Sequence, residues 1–466
     1  MKLGGLILLL FWIAQADAQI DSHYWTHQYG AKGLLLNGAV IASAEDETNI
    51  FYNPGAISQD DNLGFAFSFL SPTYSRLQAD NFLGDKSQIA DTGIDFSPGF
   101  LAIRFQPFNT RKLTFGIASF KRFKSNIEFK NRLTDQINDS GLFLLRADLD
   151  FKRKVSEDWF GIGVSYNITD NIGIGVSQFS AWHSESLRVG LIKEVFLSPN
   201  PTDIVASWRS DFDYNISTYS GFVTKVGLSS KIGPMKIGAT FTTPTYGILR
   251  SSASYAIDDQ RIVTAENRNE VLSNRDEVDL NDYKTPYSIG LGLEYTFNEI
   301  CVSFSTEYFG EIEEYTLFSE LDDSFNGVAE GDADAFIKVI SKNQSVLNMA
   351  FGIQYKKNEK VTWLGGLRSD FNQDNSLILN NSAEYLGSAP DIFHISGGGM
   401  FRYGKNVFSI GLDFGFGHRS GAKQLADLNN VNIDNLFSFS GKENVDNTFF
   451  SGMLFITYDF IYNRIK

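Results

Sequence analysis

The sequence contains very little cysteine and histidine. Only one of its 466 residues is a cysteine, Cys301, and only five are histidines. A single thiol cannot form an intramolecular disulfide, a CxxC redox pair or a cysteine-ligated zinc site, so these classes of site are excluded. Because Cys301 lies in the alternating stretch 299–304, we expect it to be a small buried apolar side chain.

Basic residues and long apolar runs are scarce as well. The chain has 40 Lys and Arg residues against 55 Asp and Glu residues, a net charge of -15. This balance argues against binding to nucleic-acid phosphates. Mean hydropathy is -0.15, and beyond the N-terminus no stretch approaches the roughly 18 apolar residues of a membrane-spanning helix. Two options remain, namely a soluble exported protein or one that crosses a membrane as strands.

The N-terminal residues have the pattern of an export signal. Lys2 precedes an apolar run over residues 4–14, and residues 16–18 match an A-x-A cleavage site. We therefore predict a signal peptide over residues 1–18 and a mature chain that begins near Gln19. No cysteine follows the cleavage site, so we expect no lipoprotein anchor.

Phenylalanine and glycine are abundant, with 41 of each, and aromatic residues favour strands while glycine weakens helices. From about residue 62 onward, apolar and small or polar residues alternate, which places them on opposite faces of strands. The clearest cases are residues 287–297, 347–356 and 408–416. Four further segments share the pattern: 159–168, 222–232, 235–241 and 450–460.

Both a soluble β-sandwich and a transmembrane β-barrel have strands of this kind. Three details favour the barrel. The apolar faces run over about 9–11 residues, the length of a tilted membrane-spanning strand. Aromatic residues recur at strand ends, and the opposite faces are rich in Gly, Ser and Thr, as in a polar lumen. We predict an all-β fold, a transmembrane antiparallel β-barrel of about fourteen strands over residues 62–466.

Long polar segments alternate with short polar links such as 168–171 and 356–359. Long outer loops and short periplasmic turns give this pattern in outer-membrane barrels. We expect a monomer in the outer membrane of a Gram-negative bacterium, in contact with lipid and lipopolysaccharide. The predicted long loops cover approximately residues 258–281, 310–343, 372–389 and 420–447.

The segment between the signal peptide and the first strand, residues 19–61, does not alternate. It contains the apolar stretch 34–42 and ends near the turn 52–55. Such a segment is either a periplasmic tail or a hatch that plugs the lumen. Its apolar content favours the hatch, because a solvated tail would be more polar.

The run Asp46-Glu47-Thr48-Asn49-Ile50-Phe51-Tyr52-Asn53-Pro54-Gly55 resembles the hatch motif of the long-chain fatty-acid and aromatic-hydrocarbon transport barrels (FadL/TodX type). Residues 238–244 and 286–292 also resemble this family. The family motif ends in Asn-Pro-Ala-Gly, whereas here Asn53 and Pro54 precede Gly55 and Ala56. The chain also ends at Lys466, so its final aromatic residue is not terminal.

The resemblance implies a fourteen-stranded barrel with its N-terminus as hatch, which carries hydrophobic compounds across the outer membrane without an energy source. It also implies lateral release of the ligand beside a kinked strand. Pro98 and Gly99 are the candidate kink, because proline interrupts a strand ladder, although they also fit an ordinary strand start.

Four basic residues are candidate contacts for a ligand carboxylate, because our face assignment places them on the lumen side. The alternative is that each only hydrates the lumen or pairs with its acidic residues. The four are Lys225, Lys231, Arg368 and Arg402.

Other clusters have simpler interpretations. His23 and His27 are spaced as two metal ligands of a helix would be, but no third ligand is apparent, so we expect no metal site. The basic cluster 121–124 is expected to meet lipopolysaccharide or solvent. The acidic run 320–334 has no EF-hand order and is expected to be a solvated loop. No nucleophile, metalloprotease or nucleotide-binding motif is present, and we expect neither enzymatic activity nor a cofactor.

Two functions compete for such a barrel. The first is uptake of hydrophobic small molecules. The second is a binding platform in a protein-secretion or cell-surface assembly, for which residues 310–343 offer a segment long enough to contact a protein partner.

Overall fold

The computed structural model describes most of the chain, and the predicted signal peptide lies outside the described residues. The described ranges are 22–42, 46–59, 63–68, 71–85, 87–97, 99–107, 112–136, 143–197, 203–249, 252–320, 337–373, 376–379, 383–385, 389–428, 436–437 and 441–462.

The N-terminal segment contains only short helices. These are α1 (Gly30–Leu35), α2 (Asn49–Tyr52) and a 3₁₀-helix over Pro54–Ala56. Asn53 precedes the 3₁₀-helix, and its side-chain oxygen accepts a hydrogen bond from the backbone N–H of Gly55 at 3.0 Å. This is the usual role of Asn before a helical turn.

The rest of the described chain is dominated by strands. They are β1 (Leu63–Ser68), β2 (Ser71–Asp80), β3 (Gln88–Ser97), β4 (Phe100–Phe105), β5 (Leu113–Gln136), β6 (Phe143–Thr169), β7 (Ile172–Leu197), β8 (Ile204–Ile232), β9 (Met235–Thr242), β10 (Tyr246–Leu249), β11 (Ser252–Val263), β12 (Arg268–Asp279), β13 (Ser288–Phe297), β14 (Ile300–Phe309), β15 (Ile312–Glu320), β16 (Ile337–Asn343), β17 (Val346–Lys356), β18 (Val361–Asp370), β19 (Ser376–Leu379), β20 (Ala383–Tyr385), β21 (Ile392–Tyr403), β22 (Asn406–Lys423) and β23 (Glu443–Tyr462), with a 3₁₀-helix over Thr264–Glu266.

These strands form a closed antiparallel barrel with 14 wall positions, as predicted. β1 and β2 share the first position, and β3 and β4 share the second. The wall then continues through β5, β6, β7, β8, β9, β13, β14, β17, β18, β21, β22 and β23, and β23 pairs with both β1 and β2 to close it. Closure joins the last wall position to the first, as a sheet that crosses lipid requires.

Strands also continue beyond the wall at the end with the long connections. The segment 258–281, which we expected to be a loop, belongs largely to the hairpin of β11 and β12, and β11 pairs with the long strand β8. β15, β16, β19 and β20 form a separate four-stranded sheet. Polar residues occupy both faces of much of the hairpin, so it lacks the alternation of a lipid-facing strand.

The apolar rows of the alternating segments face outward, which confirms their interpretation as lipid-facing. Leu291, Phe351 and Phe416 are exposed by 53%, 47% and 49%. Each belongs to a row of exposed apolar residues two positions apart, as on one face of a strand. An exposed apolar surface that surrounds a barrel is stable only against lipid. Among the described residues, no helix is long and apolar enough to cross a membrane.

The N-terminal segment lies inside the lumen, which confirms the prediction of a hatch. Its described residues are almost all buried. The backbone near Pro54 and Gly55 packs against glycines of β7 and β8, while Leu36 packs against glycines of β17 and β18 on another side. The strands and connections at the long-loop end form a separate apolar core. It lies beyond the cavity that is described in the next section.

Candidate functional site

A cavity lies on the hatch, between it and the barrel wall. It holds about 1120 Å³ of space not filled by atoms, part of which is open to solvent. Its lining comes from the hatch (Tyr24, Trp25, His27, Gln28, Gly38, Ile41, Phe51, Tyr52), from β5–β9 (Arg122, Phe123, Arg153, Val155, Glu157, Trp159, His183, Glu185, Val223, Lys225, Thr242) and from the following segments (Thr243, Tyr283, Lys284, Thr285, Pro286, Ser288, Glu307, Phe309, Asn343, Gln373).

One side of the cavity is aromatic. The hatch residue Phe51 packs edge-on against Phe120 and Trp159 of the wall, with ring centroids 5.1 and 6.2 Å apart. Phe179 extends the cluster behind Trp159 at 5.2 Å. Because the hatch and three wall strands share these contacts, the apolar surface depends on the hatch remaining docked.

Arg122 is the central cation of the cavity. Ala118 and Phe120 are buried on the inner face of β5, and Arg122 continues this alternation into the lumen. The ladder between β5 and β6 shifts register between Lys121 and Phe123, so the alternation of β5 reverses beyond Arg122. Its side chain is 7% exposed, donates a hydrogen bond to the backbone oxygen of Tyr24, and lies over the rings of Phe51 and Phe123 at 5.6 and 4.6 Å.

No described carboxylate forms an ion pair with Arg122. A buried guanidinium without a carboxylate partner is a natural receptor for an anion, because burial strengthens a charge-assisted hydrogen bond. The neighbouring His27 does not share this role. Burial and the nearby Arg122 lower the pKa of His27 to about 3, so its imidazole stays neutral.

The opposite side of the cavity carries paired charges. Arg153 donates two hydrogen bonds to Glu185, at 3.0 and 2.8 Å, and both side chains are buried. Lys225 lies 3.7 Å from Glu307, which also accepts a hydrogen bond of 2.8 Å from the indole N–H of Trp25. The second pair therefore connects the wall to the hatch.

His183 lies between two carboxylates at the edge of the cavity. Its Nδ1 is 3.3 Å from Glu157 and its Nε2 is 3.5 Å from Glu185. The ring stacks on Tyr283 with centroids 4.1 Å apart. Tyr283 belongs to the unpaired segment that precedes β13, so this stack holds that segment over the cavity.

The structure does not bring the four predicted carboxylate contacts together. Lys225 lines the cavity, and its ammonium group lies 5.1 Å from the centre of the Phe51 ring. Arg368 is buried on β18 but is not among the cavity residues. Lys231 and Arg402 are exposed near the short turns at the other end of the barrel. Lys225 is thus the one of the four that is positioned to meet a ligand in this cavity.

The predicted hatch motif makes close contacts with the wall. The amide group of Asn53 donates hydrogen bonds to the backbone oxygens of Ile41 and Leu228, at 2.8 and 3.0 Å. A methyl group added to Gly175 would lie only 2.1 Å from the backbone oxygen of Pro54. The motif therefore joins two parts of the hatch and fixes them against β7 and β8.

The candidate kink separates β3 from β4. Pro98 lies outside the described residues, and Gly99 directly precedes β4. β4 pairs with β5 as far as Phe100, but β3 has no ladder with β5 in the described structure and pairs only with β2. The wall position that β3 and β4 share is thus interrupted between Ser97 and Phe100.

Side chains alone bridge β3 and β5 beyond this interruption. Lys124 forms an ion pair with Asp95. The backbone N–H of Glu128 donates to the Asp91 carboxylate at 3.1 Å, and Asn131 donates to the backbone oxygen of Gln88 at 3.1 Å. At this place β3 and β5 are thus joined through side chains, without a backbone ladder in the described structure.

The basic cluster 121–124 divides between two environments. Lys121 faces outward and pairs with Asp158 at 2.7 Å, whereas Arg122 is buried in the cavity, contrary to our expectation of solvent or lipopolysaccharide. Ordinary alternation explains the difference, because adjacent residues of a strand face opposite sides.

His23 and His27 do not form a metal pair. They precede α1 rather than lying on a helix, and His23 contacts the backbone oxygen of Pro390 at 3.0 Å. The described residues contain no cluster of three metal-ligating side chains. Most of the acidic run 320–334 lies outside the described residues.

Three site residues were missed by sequence reasoning, namely Arg122, Glu307 and His183. Arg122 was assigned to the outer surface, although it continues the inward row of Gly116, Ala118 and Phe120, so alternation alone would have placed it in the lumen. Glu307 and His183 each interrupt a lumen-facing row of small residues, and a search for charged residues on small-residue faces would have found both.

The fold and cavity define a class of protein, a transmembrane β-barrel whose lumen is closed by an N-terminal hatch that forms part of a ligand-sized cavity. Solved structures share this fold. A Pseudomonas aeruginosa FadL homologue is 13% identical with a TM-score of 0.60, and the alignment covers 96% of this chain and 99% of that one. The P. putida toluene transporter TodX is 14% identical with a TM-score of 0.59, covering 94% and 99%.

The Ralstonia pickettii toluene transporter TbuX is 12% identical with a TM-score of 0.55, covering 92% of this chain and 98% of that one. No protein-family model and no curated protein matches the chain. The chain thus has the FadL-type fold, and the resemblance seen in the hatch motif is confirmed at the level of the fold.

Proposed function

We propose that this protein is an outer-membrane channel for the energy-independent uptake of hydrophobic compounds. The observation that carries the proposal is the aromatic cavity built directly on the hatch, inside a barrel that is covered by a lipid-facing apolar surface. In this arrangement the short turns face the periplasm and the long connections face the exterior. The neighbours with the same fold include toluene transporters and a FadL homologue, which supports the same class of ligand.

The physical chemistry of such ligands favours release into lipid. Burial stabilises an apolar chain by about 0.8 kcal/mol per CH₂ group, so transfer of a long acyl chain from the cavity to water costs on the order of 10 kcal/mol. A path into the bilayer avoids most of this cost. We propose that the interruption between β3 and β5, bridged by Lys124 and Asp95, is the place of lateral release.

Uptake by whole cells tests the transport function. We expect a Gram-negative host without its own channel to take up radiolabelled palmitate or toluene faster when it produces this protein. The driving force is the downhill partition of the ligand, so dissipating the membrane potential leaves the initial rate unchanged. Initial rates over short times are the measurement.

A protein without the cavity aromatics is the matched control for this experiment, for example Phe51→Ala with Trp159→Ala. Surface amounts of the two proteins are compared by the heat-dependent gel shift of folded barrels. Uptake at the rate of the empty host, together with loss of protein secretion in a deletion strain, would favour the platform function instead.

The unpaired Arg122 predicts that ligands with an anionic head are preferred. A charge-assisted hydrogen bond contributes about 1.5–3 kcal/mol, and each 1.4 kcal/mol is about a tenfold change in affinity. We expect Arg122→Met to weaken palmitate binding by about 10- to 100-fold, while toluene binding changes little. Binding is measured by isothermal titration in detergent.

Lys121→Met is the matched control for Arg122→Met, because Lys121 is the adjacent residue on the outer face. It should leave both affinities unchanged. An equal loss of palmitate and toluene binding in Arg122→Met would mean that the residue only supports the fold.

A further inference from the structure

A second interruption of the barrel wall lies directly beside the cavity. The ladder between β9 and β13 ends at the pair Thr242 and Ser288, and the segments 243–245 and 282–287 that follow on each side are not strands. β8 remains bound to the first segment, through Thr224 and Thr243, and then to β10. The break therefore lies between 243–245 and 284–287, far around the barrel from β3.

Two side-chain hydrogen bonds hold this break closed. The hydroxyl oxygen of Thr285 accepts from the backbone N–H of Thr245 at 2.8 Å and shares a second bond with the Thr245 hydroxyl at 2.8 Å. No other polar contact joins the two segments in the described structure. Opening at this point breaks no backbone ladder.

The residues at the break line the cavity from the other side. Thr242, Thr243, Thr285 and Pro286 all belong to the cavity lining, so the break borders the cavity directly. The buried Oγ1 of Thr242 has no hydrogen-bond partner in the described structure. The inner edge of the break is thus polar, and the Thr242 hydroxyl can donate a hydrogen bond to the polar group of a passing ligand or accept one from it.

The outer edge of the break is aromatic and lies at the margin of the lipid-facing surface. Phe241, Tyr246 and Tyr287 are exposed, and Phe241 stacks on Tyr287 with centroids 6.5 Å apart. Trp182 and Phe222 are exposed nearby on the adjacent strands. Aromatic side chains of this kind mark the boundary between lipid and water. The break therefore opens at the level of lipid head groups.

The charges inside the break suit an anionic head group. Lys284 and Lys225 line the cavity on this side, with Lys225 3.7 Å from Glu307, and Arg122, which pairs with no described carboxylate, lies beyond them. A ligand that moves inward from the break meets threonine hydroxyls, then ammonium groups, then the guanidinium over the aromatic cluster. Each step replaces part of the hydration of an anionic head, while the apolar chain follows along the aromatic side.

We propose that this break, the threonine window formed by residues 242–245 and 284–288, is an entry for single-chain amphiphiles with an anionic head group that have partitioned into the outer leaflet. The inference rests on the proposed uptake function and adds a route and a ligand class to it. The window is distinct from the interruption between β3 and β5, so entry and lateral release use different places in the wall.

A reversible disulfide tests the window. In a Cys301→Ser background, Thr245→Cys and Thr285→Cys place two thiols where the hydroxyl oxygens are now 2.8 Å apart, a separation compatible with a disulfide after small adjustment. We expect oxidation to reduce palmitate uptake to the rate of cells without the channel, and reduction to restore it. In the single variants Thr245→Cys and Thr285→Cys, uptake should be the same before and after treatment with the oxidant, whatever its rate.

A second variant keeps the test independent of disulfide formation. Thr285→Ala removes both hydrogen bonds across the window, and we expect a faster initial rate of palmitate uptake. Wild-type uptake by the oxidised double variant, with its disulfide verified by mass spectrometry, would overturn the window. An unchanged rate in Thr285→Ala would also overturn it. Failure of the transport function itself is recognised separately, because the reduced and wild-type proteins would then show no uptake at all.

Discussion

Gly175→Ala is expected to undock the hatch and open the barrel to solutes that the native protein excludes. The added methyl carbon would lie 2.1 Å from the backbone oxygen of Pro54 and 2.5 Å from its carbonyl carbon. Backbone atoms cannot swing away as a flexible side chain can, so the hatch must shift. Overpacking of this kind costs about 1–3 kcal/mol, and each 1.4 kcal/mol is about a tenfold change in a population. The undocked fraction should rise by about 10- to 100-fold.

The measurement is single-channel conductance in planar bilayers, together with the sensitivity of cells to vancomycin, which intact outer membranes exclude. Gly397→Ala is the matched control. Gly397 is a lipid-facing strand glycine, and a methyl group there would meet only the backbone oxygen of Leu364 at 3.7 Å, an ordinary contact. A folded Gly175→Ala barrel with native conductance would show that the hatch is not fixed by this contact.

The strand faces were predictable because lipid acts on each residue locally. Ile289 and Leu293 are exposed on β13, and the glycines between them face the lumen, where alternation places them. No long-range information is needed, since a strand in lipid must present every second residue to the acyl chains. The position of the hatch followed in a similar way from its apolar composition.

The contacts of the hatch were not predictable, because they join residues that are far apart in the sequence. The lumen-facing glycines were recognised as small, but nothing in the sequence pairs Gly175 with Pro54. Likewise, the register shift beside Arg122 reverses the faces of β5 beyond it, where Ser125 and Ile127 face inward. A one-residue shift reverses every side chain, and bulges of this type carry no local sequence signal.

Hairpin β11–β12 shows the converse limit. Its charged residues break the lipid pattern, so the segment was expected to be a loop, although its backbone forms a continuous ladder with β8. Alternation identifies the part of a strand that lies in lipid rather than the whole strand. Where a wall strand extends into water, both faces can be polar and the pattern disappears.

Arg153→Met is expected to destabilise the barrel by about 3–5 kcal/mol, because it leaves the buried carboxylate of Glu185 without its cation. Arg153 and Glu185 are only 2% and 4% exposed at their side chains. The hydroxyl of Tyr214 also donates to Glu185 at 2.7 Å, and His183 lies 3.5 Å from it, but neither replaces the two hydrogen bonds of the guanidinium. Stability is measured as the urea midpoint of unfolding in lipid vesicles, followed by the heat-dependent gel shift.

The double variant Arg153→Met with Glu185→Leu separates the loss of a partner from the value of the pair. Replacing both members of a buried pair by apolar residues is often close to neutral, so we expect the double variant to recover most of the lost stability. Arg132→Met is the matched control, because the Arg132–Asp148 pair is exposed and such pairs contribute at most about 1 kcal/mol. A double variant as unstable as Arg153→Met would show that Arg153 stabilises the barrel through its packing between the strands. The charges of Arg153 and Glu185 would then make no separate contribution to stability.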